Sequence, residues 1–176
     1  MNMRITAIVA SLVCAGAIVA AQAQVTKESV PGIVNFAKVE TTVACAGATT
    51  PAALAEVKRM GYASVINLRQ ASEPGAEIEA SAAAAKAAGL NYIHIPFNTA
   101  SPDGAVVDTF IKAVTDKANQ PAFIHCASAN RAAALWMVKR IAVDKWDVER
   151  ASTEAAALGL TNPALKQFAI EQAQKR

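Results

Sequence analysis

Ala122-Phe123-Ile124-His125-Cys126-Ala127-Ser128-Ala129-Asn130-Arg131 leads from a short apolar segment into Ala132 to Val143, a stretch rich in Ala, Leu, Trp, Met and Val. The apolar segment reads as a buried strand and the stretch from Arg131 to about Val143 as a helix, with a tight turn between them. A cysteine at the end of a buried strand, followed by a turn and an arginine that opens a helix, makes an anion site around a reactive thiolate. The N–H groups of such a loop point inward, and the helix N-terminus adds positive potential. Both favour thiolate over thiol, and the thiolate is the nucleophile. The planar fork of Arg131 can grip two oxygens of a phosphate. Phosphate-ester chemistry is therefore the leading expectation from this segment.

Upstream of it the chain alternates between strand and helix patterns. Val34 to Ala44 carries Phe36, Val39 and Val43 among polar residues, which predicts an edge strand or a pair. Thr50 and Pro51 open a helix that Gly61 closes, with Leu54, Val57 and Met60 on one face. Ala63 to Leu68 is the next strand, and Arg69 to Gly75 a polar loop. An alanine-rich helix follows from about Ala76 to Ala88 and stops at Gly89. Asn91 to Ile95 is a strand ended by Pro96. Ser101-Pro102-Asp103 begins a helix running to about Lys117. Two more are expected over roughly Asp147 to Leu158 and Pro163 to Ala173, the first closed at Gly159 and the second capped by Thr161 or Asn162. This order predicts an α/β fold with a mostly parallel central sheet and helices on both faces. Ligands of such sheets bind outside the carboxyl ends of the strands, where Cys126, Arg69 and the loop after Pro96 all lie.

Residues 1–23 read as a secretion signal. Met1-Asn2-Met3-Arg4 is a short basic start, Ile5 to Ala20 is almost entirely apolar or small, and Ala21-Gln22-Ala23 is an A-x-A cleavage site. Cys14 then belongs to the signal. The expectation is a mature chain from Gln24, with residues 24–176 as a single domain and 24–33 as a flexible N-terminus. The protein would be periplasmic or secreted, with no stable membrane span once the signal is removed. The formal charge of +3 includes Arg4, so the mature chain carries about +2. With no basic run interleaved with aromatics, nucleic acid is not an expected partner. No His, Cys, Asp and Glu set stands at ligand spacing, so neither a metal nor another cofactor is expected. Trp136 and Trp146 read as core residues on amphipathic helices, and His94 alternates with Ile93 and Ile95 in a strand.

Cys126 is the candidate nucleophile, set against a buried structural cysteine or half of a disulfide. Arg131 is the candidate phosphate ligand, set against a solvated helix-start arginine. The backbone of Ala127, Ser128, Ala129 and Asn130 would complete the cradle. His125 would sit behind the loop or be a satisfied core histidine. Arg69 could line the pocket from the end of its strand, while its neighbour Glu73 reads as lying on a solvated loop. Two cysteines remain after processing. Cys45 could form a reversible bond with Cys126, stand as an inert thiol, or make a permanent bridge.

These residues resemble the cysteine-dependent protein tyrosine and dual-specificity phosphatase superfamily. The closer likeness is to the bacterial dual-specificity-phosphatase-like group also found as the phosphatase-like domain of beta-lactamase hydrolase-like proteins. The resemblance spans about residues 36–143. Its pieces are Ala46-Gly47-Ala48-Thr49-Thr50, Met60 to Arg69, Gly89-Leu90-Asn91-Tyr92-Ile93-His94-Ile95-Pro96 and the Cys126 loop. It implies a cysteine-phosphatase-like fold, Cys126 as nucleophile, Arg131 as phosphate ligand, and a phosphorylated small molecule or protein as substrate.

The chain departs from the family pattern in several places. Most members place one more residue between cysteine and arginine. The third position after the cysteine, usually glycine, is Ala129, which costs about 1 kcal/mol if it needs positive φ. Ala132 stands where Ser or Thr often assists the thiol, though Ser128 could supply a hydroxyl instead. Where the family places its general acid the chain has Asn98 and Thr99. Asp103 is the nearest carboxylate, with a first-turn helix role as its alternative, and Asp108 lies a turn further on. The competing functions are a rhodanese-type sulfurtransferase, whose loop has this length, and a catalytically degenerate anion-binding module.

Overall fold

The structure is a computed structural model, and it describes residues 25–176. The expected signal peptide, its cleavage site and Cys14 lie outside the described residues. In chain order the strands are β1 (Thr26–Lys27), β2 (Ala37–Lys38), β3 (Val43–Ala46), β4 (Ser64–Asn67), β5 (Asn91–His94) and β6 (Ala122–His125). The α-helices are α1 (Leu54–Arg59), α2 (Ile78–Ala87), α3 (Gly104–Thr115), α4 (Asn130–Ala142), α5 (Val148–Leu158) and α6 (Pro163–Gln174).

These strands form one sheet in the order β1-β2-β3-β6-β4-β5. β3, β6, β4 and β5 run parallel, and an antiparallel β1–β2–β3 ribbon completes one side. The alternation of short apolar strands with helices thus gives the α/β architecture expected of it. Two details differ. Of the edge strand or pair expected over Val34 to Ala44 the structure has the pair, β2 with β3, and a further strand, β1, forms the edge outside it. Residues 25–33, expected to be flexible, are instead tied to the sheet: β1 pairs with β2, and Ile33 is buried and bridges to Thr49.

Two clusters of buried side chains cover the two faces. Phe110 of α3, Leu135 and Trp136 of α4, Leu158 of α5 and Leu165 of α6 pack with Ile66 and Ile124. Leu54 and Val57 of α1 and Ala85 of α2 pack with Phe36, Tyr62 and Phe123 on the other face. Each large side chain fully buried this way contributes about 2 kcal/mol. The centre of the sheet, β6, contributes to both faces and is buried throughout.

α4 carries Arg131 at its start, and its other end is firmly clamped. Buried Arg140 bonds Glu154 of α5 at 2.7 Å, Glu40 of the β2–β3 turn at 2.7 Å and Asp144 at 2.9 Å. Its guanidinium lies 4.6 Å from the Trp136 ring and 4.1 Å from that of Trp146. Burial disfavours the Arg140 charge, but its three carboxylate partners outweigh it and raise the pKa. Trp146 sits in the α4–α5 connection and not on a helix. Breaking one partner of such a buried pair is costly, so the cluster fixes the position of α4. Among the described residues no helix is long and apolar enough to cross a membrane.

Candidate active site

β6 ends at His125, and Cys126 to Ala129 turn the chain into α4 at the carboxyl edge of the parallel strands. The turn is pinned from below. Cys126 N–H donates to the Ala46 carbonyl at 3.2 Å, and Ala48 N–H donates to the Ala127 carbonyl at 2.8 Å. A side chain at Gly47 would come within 3.0 Å of the Ala127 carbonyl and 3.1 Å of that of Val34. Glycine there permits the close approach of β3's end to the loop. The N–H groups of Ala127 and Ser128 find no acceptor among the described residues, which leaves them available to an anion.

Ala129 stands in the left-handed region at φ 79° and is fully buried, as the glycine usual at this position foreshadowed. The strain, about 1 kcal/mol, is held by packing against Gly159, which has no side chain to intrude. Asn130 then ties the loop to the α5–α6 connection. Its Oδ1 accepts from the N–H groups of Thr161 at 2.8 Å and Asn162 at 2.9 Å, and its Nδ2 donates to Ser128 Oγ at 3.2 Å.

Arg131 is almost completely buried and heavily engaged. Nη1 donates to the carbonyls of Leu68 and Phe97, each at 3.0 Å, and to Glu73 Oε1 at 2.5 Å; Nη2 donates to Glu73 Oε2 at 2.7 Å. The Nε hydrogen and the second Nη2 hydrogen meet no oxygen among the described residues. That pair is the side-on fork that binds two phosphate oxygens. Burial works against the guanidinium charge, but Glu73 and the neighbouring Cys126 sulfur more than offset it, and the pKa is raised.

Glu73 is the residue that sequence reasoning missed. Far from lying on a solvated loop, its carboxylate accepts from Arg131 twice, from the Gln70 N–H at 2.7 Å and from Arg69 Nε at 3.3 Å. Burial pushes its pKa up, yet these donors prevail and hold it at about 2. The spacing Arg69-x-x-x-Glu73 was its one sequence signal, and only the turn of residues 70–76 brings it to Arg131.

Arg69 shapes that turn. Its Nη1 and Nη2 donate to the carbonyls of Gly75 and Pro74, both at 2.6 Å. It lines a separate recess with Thr49 and Glu77, so it does not reach the one that Arg131 lines. The latter, of about 290 Å³, is walled by Gln70, Glu73, Thr99, Ser128, Asn130 and Arg131, together with Asn162 and Leu165. Cys126, on the same loop as Ser128, is buried at 1 % exposure and is not among the residues that line it. Asp103 is elsewhere: exposed, it caps α3 by accepting from the Ala105 N–H at 2.9 Å. Asp108 pairs with Arg176 at 2.7 Å.

His125 is buried behind the loop with neither ring nitrogen in a well-formed hydrogen bond. Burial lowers its pKa to about 3, aided by the charges of Arg69, Arg131 and His94; the Cys126 peptide group opposes this only in part. It is therefore a neutral ring stacked on Phe123 at 5.7 Å. Cys45 and Cys126 are both free thiols. Cys45 faces Ile124 across the β3–β6 ladder, two positions short of Cys126 in the same core cluster. Burial first, and then the nearby Cys126 sulfur, push the Cys45 thiol pKa far up.

A buried cysteine on the loop between a central parallel strand and a helix, with an anchored arginine at the helix start, defines a cysteine-phosphatase-like α/β protein. Residues 35–143 match the model of the phosphatase-like domain of beta-lactamase hydrolase-like protein, and the chain belongs to that family. A search of curated proteins gave no match. Among solved structures it is similar to TpbA of P. aeruginosa, with a TM-score of 0.66 and 18% identity over 89% of this chain and 92% of that one. It is also similar to the core catalytic domain of the PP-IP phosphatase Siw14 of S. cerevisiae, with a TM-score of 0.66 and 17% identity over 81% of this chain and 87% of that one. At such identities the likeness establishes the fold.

Proposed function

We propose that this chain is an exported cysteine-dependent phosphatase acting on phosphate monoesters of the phosphotyrosine kind. The observation that carries the reading is Arg131, fixed by a carboxylate and two carbonyls and hydrogen-bonded to the Cys126 sulfur. A TpbA structure contains phosphotyrosine, which supports an aryl phosphate as the first substrate to try. In the reaction the Cys126 sulfur attacks phosphorus while Arg131 and the loop N–H groups bind the equatorial oxygens. A thiophosphate forms on Cys126, and water later releases inorganic phosphate from it. Arg131 holds the charge that spreads over the transferring group in the loose transition state. The apolar run and A-x-A sequence of residues 1–23 support export to the periplasm or beyond.

Hydrolysis of an aryl phosphate by the reduced protein, measured beside Cys126→Ser, tests the reading. Turnover that disappears in the variant is the expected result. Thiosulfate-to-cyanide transfer without ester hydrolysis would replace it with the rhodanese reading. Tight oxyanion binding with neither activity would leave an anion-binding module.

A further inference from the structure

The proton balance of the recess has a direct consequence for substrate choice. A phosphate monoester leaves its alcohol as an oxyanion unless a nearby acid protonates it, and such an acid contributes typically 10²–10⁴-fold. The ionisable side chains lining the recess are Glu73 and Arg131. Both oxygens of Glu73 already accept hydrogen bonds, four in all, from Arg131, Arg69 and Gln70. It is an acceptor with no proton to give.

Among the described residues the other acids nearest the loop do not line this recess: Glu28, in the depression on the other side of Ser128 and Asn130, pairs with Lys38 at 2.8 Å, and Glu77 lines the recess beside Arg69. Asp103 is turned to its own helix N-terminus, Asp108 to Arg176, and His94 Nε2 to the Arg69 carbonyl at 2.7 Å. His125 is buried behind the loop. Residues 1–24 contain no Asp, Glu or His at all. Thr99 and Ser128 bring hydroxyls, which are far too weakly acidic to serve.

We infer that this site cleaves phosphoryl compounds whose leaving group departs without a proton: esters of acidic phenols, acyl phosphates or phosphoanhydrides. The inference rests on the phosphatase reading above and shifts its substrate class from phosphotyrosine-like esters toward phosphoryl compounds with more acidic leaving groups. In the first step the S–P bond forms on Cys126 as the P–O bond breaks, and the leaving oxygen takes the bonding pair and departs as an anion. In the second, a water oxygen bonds to phosphorus, the S–P bond breaks and the sulfur recovers its electron pair. The water proton passes to the phosphate or to solvent. In a loose transition state the P–O bond is nearly broken, so the rate falls roughly tenfold for each unit by which the leaving group's pKa rises. A phosphotyrosine, whose phenol has a pKa of about 10, should then react roughly 10³-fold more slowly than the ester of a phenol that ionises near neutrality.

The test measures kcat/KM, which reports bond cleavage and not the later hydrolysis, for the reduced full chain. The substrates are a series of substituted phenyl phosphates, phosphotyrosine, phosphoserine, acetyl phosphate and inorganic pyrophosphate. The expected result is a steep decline with leaving-group pKa and no phosphoserine turnover above that of Cys126→Ser. Whichever of the activated aryl ester, acetyl phosphate and pyrophosphate is fastest identifies the source of the phosphoryl group within the class. Asp103→Asn keeps the helix cap and should leave the slope unchanged; a selective loss on the poorer leaving groups would make Asp103 the acid and overturn the inference. A flat dependence, with phosphoserine cleaved alongside activated esters, would overturn it while leaving the phosphatase reading intact. No hydrolysis of any substrate would overturn both.

Discussion

Glu73→Gln removes one charge from the site while preserving the shape of the side chain. The Glu73 carboxyl is held at about 2 where an ordinary glutamate titrates at 4.5. At about 1.4 kcal/mol for each pH unit, that depression corresponds to roughly 3 kcal/mol of interaction favouring the charged form. The side chain is 21% exposed, so solvent screens part of it, and about 2 kcal/mol is the expected loss of folding stability at pH 7. A group with a depressed folded pKa contributes fully above its unfolded value and fades as pH falls toward its folded one. The deficit of the variant should therefore shrink below pH 4.5 and vanish near pH 2. Urea unfolding of both proteins at pH 7 and pH 3 measures it. Activity should fall as well: with Arg131 released from one of its three anchors, kcat/KM for an aryl phosphate should drop tenfold or more, equivalent to about 1.4 kcal/mol of transition-state stabilisation. Equal stability of the two proteins at pH 7, or a deficit that is the same at both pH values, would refute the charge pairing. Higher activity in the variant would show that Glu73 competes with the substrate and does not position Arg131.

Two other perturbations probe the loop's support. His125 is neutral in the fold down to about pH 3 but takes up a proton near 6.5 when unfolded. Stability should therefore be complete above pH 6.5 and decline by up to about 4 kcal/mol as pH falls to 3; His125→Gln should flatten that part of the urea-midpoint profile, and an unchanged profile would sink the assignment. Gly159→Ala forces a side chain into the left-handed region at φ 109° and 3.3 Å from the Ala129 Cβ. It should cost about 1–2 kcal/mol and reduce turnover by disturbing the loop, both of which thermal unfolding and an aryl phosphate assay would detect.

Local signals carried most of the fold. The apolar strands near Val65 and Phe123, the Pro51 and Asn162 helix starts and the Gly159 stop each depend on neighbours in sequence, and each came out where those neighbours placed it. β1 did not, because it is two residues long and is specified by pairing with β2 and not by any periodicity of its own. Asp103 shows the ambiguity of a single letter. A carboxylate two residues before a helical N–H caps it in the same sequence context in which it could reach across a pocket. Only the Ala105 contact distinguishes the two.

Glu73 exposes a different limit. Nothing in Gln70-Ala71-Ser72-Glu73-Pro74-Gly75 distinguishes a surface carboxylate from a site residue, because what matters is where a turn carries it. That turn is set by Arg69, whose guanidinium binds the carbonyls of Pro74 and Gly75 and so folds the segment back over the strand end. One arginine, read as a substrate ligand, thus acts through another: Arg69 shapes the loop, the loop delivers Glu73, and Glu73 orients Arg131. The same arrangement explains why the recess lacks an acid. The carboxylate that lines the recess, Glu73, is already spent on holding the arginine, so the site is built to stabilise negative charge and has no proton to give to the departing group.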